Sequence, residues 1–151
     1  FALSEAKRTE QNVVLALGVH SGDHAIYPDC RPEFYKALQS AFEIGNWDSQ
    51  MVEFDLPYLH GDKTSILRDA LETTPQLGLS FDTVLRNTIT SYNPDEKGLS
   101  SGKSGSDVER ILAFHAIGRI DPIEYQQPWD VVLEHALRVE SDYKGGHGHE
   151  S

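Results

Sequence analysis

Gly18-Val19-His20-Ser21-Gly22-Asp23-His24-Ala25-Ile26-Tyr27-Pro28-Asp29-Cys30-Arg31-Pro32-Glu33-Phe34 is a loop between two different patterns. Ahead of it, Asn12 to Val19 is apolar and rich in β-branched residues, which predicts a buried strand lying within Gln11 to Val19. After it, Phe34, Leu38, Ala41 and Phe42 recur at i, i+4, i+7 and i+8, the spacing of one helical face, so a helix is expected from Pro32 to Glu43. Pro32 suits its first turn, where a missing N–H costs nothing. A strand that hands over to a helix through a loop dense in ionisable groups is an α/β signature, and ligands collect at the carboxyl end of such a strand.

The alternation extends both ways. Phe1 to about Arg8 reads as an amphipathic helix already under way, with no Met or cap before it, as though the chain were cut from a longer one. Gly45-Asn46 ends the second helix. Met51 to Leu56 alternates apolar and acidic residues, a short strand closed by Pro57. Helix-strand-helix-strand order argues for a parallel sheet. Further helices are expected over Lys63 to about Glu72, Phe81 to Leu85, Asp107 to Ile117 and Pro128 to Val139. Asn87 to Tyr92 reads as a short strand, Asn93 to Gly105 as a loop, and Gly145 to Ser151 as a mobile tail. The organisation expected is one domain over residues 1–140, with a flexible tail over 141–151.

Composition narrows the function classes. Of 151 residues, 13 are basic and 24 acidic, for a formal charge of −11, which repels a phosphate backbone and speaks against direct nucleic acid binding. No apolar run approaches the roughly 18 residues that span a bilayer, so no membrane partner is expected and the chain reads as soluble. One cysteine cannot form an internal disulfide, which suits a reducing cytoplasm.

Several side chains invite chemistry. Asp23, Asp29 and Arg31 can bind magnesium, a proton or a carboxylate, or can simply pair to fix the loop; the planar guanidinium of Arg31 matches a carboxylate through two hydrogen bonds. Cys30, beside Arg31 and a helix start, is a candidate nucleophile or a small packing residue. His20 and His24 are four apart, but metal ligation at that spacing needs a helix, and Ser21-Gly22 argues against one. Lys63 opens a helix after His60-Gly61-Asp62, where an ammonium and free amide N–H groups attract phosphate; the plain alternative is a solvated lysine. His147 and His149 belong to the expected tail.

Gly18, His20, Asp23, Tyr27-Pro28-Asp29-Cys30-Arg31 and Phe34, in this order, resemble the ATP-dependent 7-cyano-7-deazaguanine synthases, the QueC/ExsB family. The resemblance continues to about Tyr125 and weakens between Ala37 and Arg86. It implies a Rossmann-like ATP pyrophosphatase (adenine nucleotide α-hydrolase) fold, of which this chain is the carboxyl-terminal portion. It also implies a cytoplasmic carbon–nitrogen ligase that activates 7-carboxy-7-deazaguanine with ATP and magnesium and converts it with ammonia to an amide and then a nitrile. Asp29 and Arg31 would be catalytic, His20, Asp23, Tyr27 and Cys30 would contact substrate, and Lys63 would contact ATP phosphate. A homodimer is compatible with this scheme. Family members hold pyrophosphate with an upstream Ser-Gly-Gly-x-Asp-Ser loop. No such loop occurs here, so the cradle belongs to a missing amino-terminal part or another chain, or has been lost. Two other functions stay open: a relative that joins the activated deazaguanine to an amine on a protein, and an inactive binding module.

The family also places four cysteines around a tetrahedral zinc, and at those positions this chain has Ser91, Ser101, Ser104 and Asp107. Hydroxyls are hard, neutral donors where zinc wants thiolates, so zinc is not expected to bind. A structural zinc contributes on the order of 10 kcal/mol to a local fold. Without it the loop from Tyr92 to Ser106 needs hydrogen bonds, a helix cap from Ser106 or Asp107, or a partner.

Overall fold

The computed structural model describes residues 1–22 and 27–146. Asp23, His24, His147 and His149 therefore lie outside the described residues. The chain divides into two compact units, Phe1–Asp62 and Lys63–Ser151, where the sequence led us to expect one domain.

In the first unit α1 (Ala2–Thr9) leads into β1 (Val13–Ala16), and α2 (Pro32–Gly45) crosses over to β2 (Val52–Asp55). The strands pair in parallel, with Val13 opposite Val52 and Ala16 opposite Asp55. This is the expected α/β order with two strands among the described residues. β1 is shorter than the expected Gln11 to Val19 because its partner has only four residues before the Leu56-Pro57 turn; one further bond runs from Leu17 N–H to the Asp55 carbonyl, 3.0 Å. Nor is β1 buried throughout: Val13 and Leu15 are half-buried, while Val14 is 56% exposed. Ala6 and Val52 are the buried apolar residues described in this unit. Phe42 of α2 meets Phe54 of β2 edge-on at 5.6 Å, but Phe34 and Leu38, on the same stripe, remain exposed.

The second unit is helical: α3 (Lys63–Gln76), α4 (Phe81–Arg86), α5 (Gly105–Ala116) and α6 (Trp129–Gly146). α5 is its centre, because apolar residues face two ways along it. Ala113 and Phe114 pack with Leu67 of α3 and Phe81 of α4. Val108 and Ile111 pack with Val132 and Ala136 of α6, and Trp129 touches both clusters. Gly102 is obligatory here, since its φ is +75° and a Cβ would lie 2.6 Å from Val132 Cγ1.

Three sequence expectations are corrected. Asn87 to Tyr92 is not a strand. Its carbonyls are taken by side chains: Thr88 O accepts from Arg110 and Thr90 O from Ser106, so no ladder forms. α5 begins at Gly105, two residues early, and its N-cap is Ser104 rather than Ser106 or Asp107: the Asp107 N–H donates to Ser104 Oγ, 3.2 Å. α6 runs past Val139 to Gly146, so residues 141–146 of the expected tail are helical, helped by a Glu140–Lys144 pair at 2.7 Å one turn apart.

Candidate functional site

Two prolines shape the segment 27–34. A residue before proline is pushed out of the helical region. Accordingly Tyr27 (ψ 142°) and Arg31 (ψ 144°) are both extended, and each precedes an element that starts on proline. Pro28–Cys30 forms one 3-10 turn, closed by Cys30 N–H to the Tyr27 carbonyl at 2.9 Å. Arg31 then serves as N-cap of α2, its carbonyl accepting from Phe34 N–H at 3.1 Å. The result presents Tyr27, Asp29 and Arg31 to solvent and leaves Cys30 half-buried. A carboxylate and a guanidinium two residues apart on a stiff turn suit recognition of a charged small molecule better than core packing.

The loop that leaves β1 is held against the loop that leaves β2. Ser21 donates twice to the Leu59 carbonyl, from N–H at 3.1 Å and from Oγ at 2.6 Å. A Cβ on Gly22 would stand 2.4 Å from the Gly61 carbonyl oxygen and 2.7 Å from Asp62 Cβ, so only glycine permits this approach. His20, half-buried, sits at the head of this contact.

In the second unit Lys63 does open α3, as expected. Its ammonium is bound at 2.8 Å by Glu109 Oε2, and the two side chains are 18% and 13% exposed. Glu109 was missed in the sequence, where 46 positions separate it from Lys63. The zinc-family positions also lie in this unit, on segments that meet at Asp107. Asp107, wholly buried, accepts at Oδ1 from Thr90 Oγ1 (3.2 Å) and Ser100 Oγ (3.1 Å). Ser101 and Ser91 accept from the N–H groups of Lys103 (3.2 Å) and Asn93 (3.4 Å).

The most saturated polar group is one that sequence reasoning passed over. Arg110, 5% exposed, has five N–H donors and makes five hydrogen bonds. Nε and Nη2 donate to Asp121 Oδ2 (2.5 Å) and Oδ1 (2.9 Å). Nη1 donates to Thr88 Oγ1 (2.8 Å) and Thr88 O (3.4 Å), and Nη2 also donates to Leu85 O (3.1 Å). Asp121 is filled as well, accepting from Tyr125 Oη (2.9 Å) and Ile123 N–H (3.2 Å). An arginine amid the apolar positions Val108, Ile111 and Phe114 was the available signal.

Burial, then the Asp121 carboxylate and the hydrogen bond to it, push the Tyr125 phenol above its ordinary range, with Arg110 pulling the other way. The fold therefore keeps this phenol protonated where the unfolded chain ionises, near pH 10. Its stabilisation is whole below about pH 10 and is lost as pH rises further. Tyr125→Phe removes a hydrogen bond to a charged group, worth about 1.5–3 kcal/mol. In urea titrations the gap between wild type and this variant should be widest near neutrality and narrow above about pH 10; a constant gap would contradict the assignment.

An open cavity of about 570 Å³ lies among residues 86–89, 98–100 and 122–124. None of the sequence-predicted site residues lines it. No helix among the described residues is long and apolar enough to cross a membrane.

Residues 1–118 match the family model described as queuosine biosynthesis protein QueC. The 7-cyano-7-deazaguanine synthase 1 of Colwellia psychrerythraea is 47% identical over 109 residues, covering 72% of this chain and 44% of that protein. The 7-cyano-7-deazaguanine synthases of Marinomonas sp. and Pseudoalteromonas translucida are 45% and 43% identical over 109 residues, with the same coverage. The chain thus spans 44% of the length of these relatives. No solved structure gives a significant match.

Proposed function

The chain belongs to the QueC family of queuosine biosynthesis proteins, and on that premise we propose that it is the carboxyl-terminal portion of a cytoplasmic, ATP-dependent 7-cyano-7-deazaguanine synthase. The observation that carries this reading is 47% identity to a named synthase over 109 residues of the chain. The parallel β1–α2–β2 unit is then a fragment of a larger Rossmann-like sheet. The pyrophosphate cradle comes from the rest of the protein or from another copy in a homodimer.

In this reading the substrate is 7-carboxy-7-deazaguanine. A carboxylate oxygen attacks the α-phosphate of ATP and pyrophosphate leaves. Ammonia then adds at the activated carbonyl carbon and AMP departs with the former carboxylate oxygen, a far better leaving group than hydroxide. Loss of water from the resulting amide gives the nitrile. Arg31 holds the substrate carboxylate with two parallel hydrogen bonds, which fixes the attacking oxygen and neutralises its charge. Tyr27, Cys30, His20 and Asp23 contact the deazaguanine. Lys63, positioned by Glu109 at the first turn of α3, contacts phosphate. Asp29 is an exposed hard oxygen donor of the kind magnesium takes, and the ion when bound neutralises phosphate charge.

The test is AMP release by the full-length gene product, supplied with ATP, magnesium and ammonia. Release that depends on 7-carboxy-7-deazaguanine, with a nitrile in the product mass spectrum, is the expected result. No release under any substrate condition would leave an inactive binding module. An amide or a protein adduct would move the product to the amine-joining alternative.

A further inference from the structure

The donor set at the four family zinc positions does not fit zinc. Ser101 and Ser91 close local turns, and Ser104 caps α5 through the Asp107 N–H. Only Asp107 brings an anionic group, and its Oδ2 is buried with no hydrogen-bond donor among the described residues. One free oxygen stands where the metal needs four soft ligands. Yet the segments that carry the four positions still meet at Asp107. Thr90 and Ser100, each the sequence neighbour of one of them, are the residues that donate to Asp107 Oδ1. Ser106 Oγ lies 3.1 Å from Ser104 Oγ and donates to the Thr90 carbonyl at 3.1 Å, tying the strand of chain before the loop to the start of α5.

We infer that this segment closes without a metal, around the buried Asp107 carboxylate. Hydroxyl-to-carboxylate hydrogen bonds make the cross-link that a thiolate–zinc centre makes elsewhere in the family. The carboxylate does the metal's geometric work because it accepts from Thr90, just before the loop, and from Ser100 within it, while its own backbone N–H is held by Ser104. Gly102 packed against Val132 keeps the later part of the loop on α6 independently of any ligand.

This rests on the family membership but not on the activity, and its readout is metal content, which is blind to AMP release. The full-length protein, expressed in zinc-supplemented medium, is expected to carry substoichiometric zinc and to keep its melting midpoint after prolonged chelation. One equivalent of zinc per chain, or a midpoint that falls on chelation, overturns the inference. The reverse experiment restores thiolates: S91C/S101C/S104C/D107C should take up one equivalent of zinc and become chelator-sensitive. A soluble variant that takes up none would show that the positions do not converge. Should it prove insoluble, S91C/S101C/S104C, which keeps Asp107 as an oxygen ligand, is read in the same way.

Discussion

Arg110→Ala is expected to destabilise the protein by about 3–5 kcal/mol, because it leaves a buried carboxylate without its cation. The Asp121 side chain is 0% exposed and the Arg110 side chain 6%, so the pair is shielded from water in the folded protein. The damage does not stop at the ion pair. The Thr88 carbonyl loses its side-chain donor and the Leu85 carbonyl one of its donors, keeping those from Thr88, and the guanidinium also lies 5.4 Å from the Phe114 ring centroid, so packing is lost with charge. Arg110→Lys should recover little, since a single ammonium cannot reproduce five bonds in a planar fork. Denaturant unfolding of the full-length protein measures both. A loss for Arg110→Ala below about 1 kcal/mol, the value of an exposed pair, would mean the site is open to water.

Arg31→Ala is expected to lower kcat/KM for 7-carboxy-7-deazaguanine by at least roughly 10- to 150-fold, the equivalent of about 1.5–3 kcal/mol for the first of its two charge-assisted hydrogen bonds. The loss should fall mainly on KM if the contact is already complete in the bound substrate. Because Arg31 is exposed and its backbone alone caps α2, the variant should fold normally, with an unchanged unfolding midpoint. A kcat/KM within about threefold of wild type, too small for such a bond, would remove Arg31 from the substrate contacts and reduce the turn to a structural device.

These two arginines show what the sequence could and could not reveal. Arg31 stood out because it sits in a loop dense in ionisable groups, within the run Tyr27-Pro28-Asp29-Cys30-Arg31, and such a signal is written in neighbouring residues. Arg110 did not, since its partners Asp121, Thr88 and Leu85 come from segments that only tertiary folding assembles. The same cause explains the false strand: Thr88-Ile89-Thr90 has the β-branched composition of a strand, but its carbonyls are claimed from across the fold. Helices were legible from their period, although α3 and α6 run on to Gln76 and Gly146, past their expected ends near Glu72 and at Val139. What covers them was not, for periodicity marks an apolar face without naming its neighbour: Phe34 and Leu38 stay 42% and 39% exposed. The metal-free closure was half visible, because the absent thiols could be read directly while the choice of Asp107 as the node could not.

The exit segments of β1 and β2 are fastened at Ser21–Leu59 and pressed together at Gly22–Gly61, with no room for even a methyl group between them. Two pieces of chain joined this tightly share one motion, as a plank shares it from end to end. Neither can swing aside to admit a guest while the other stays put. Whatever reaches His20 must arrive over a fixed threshold.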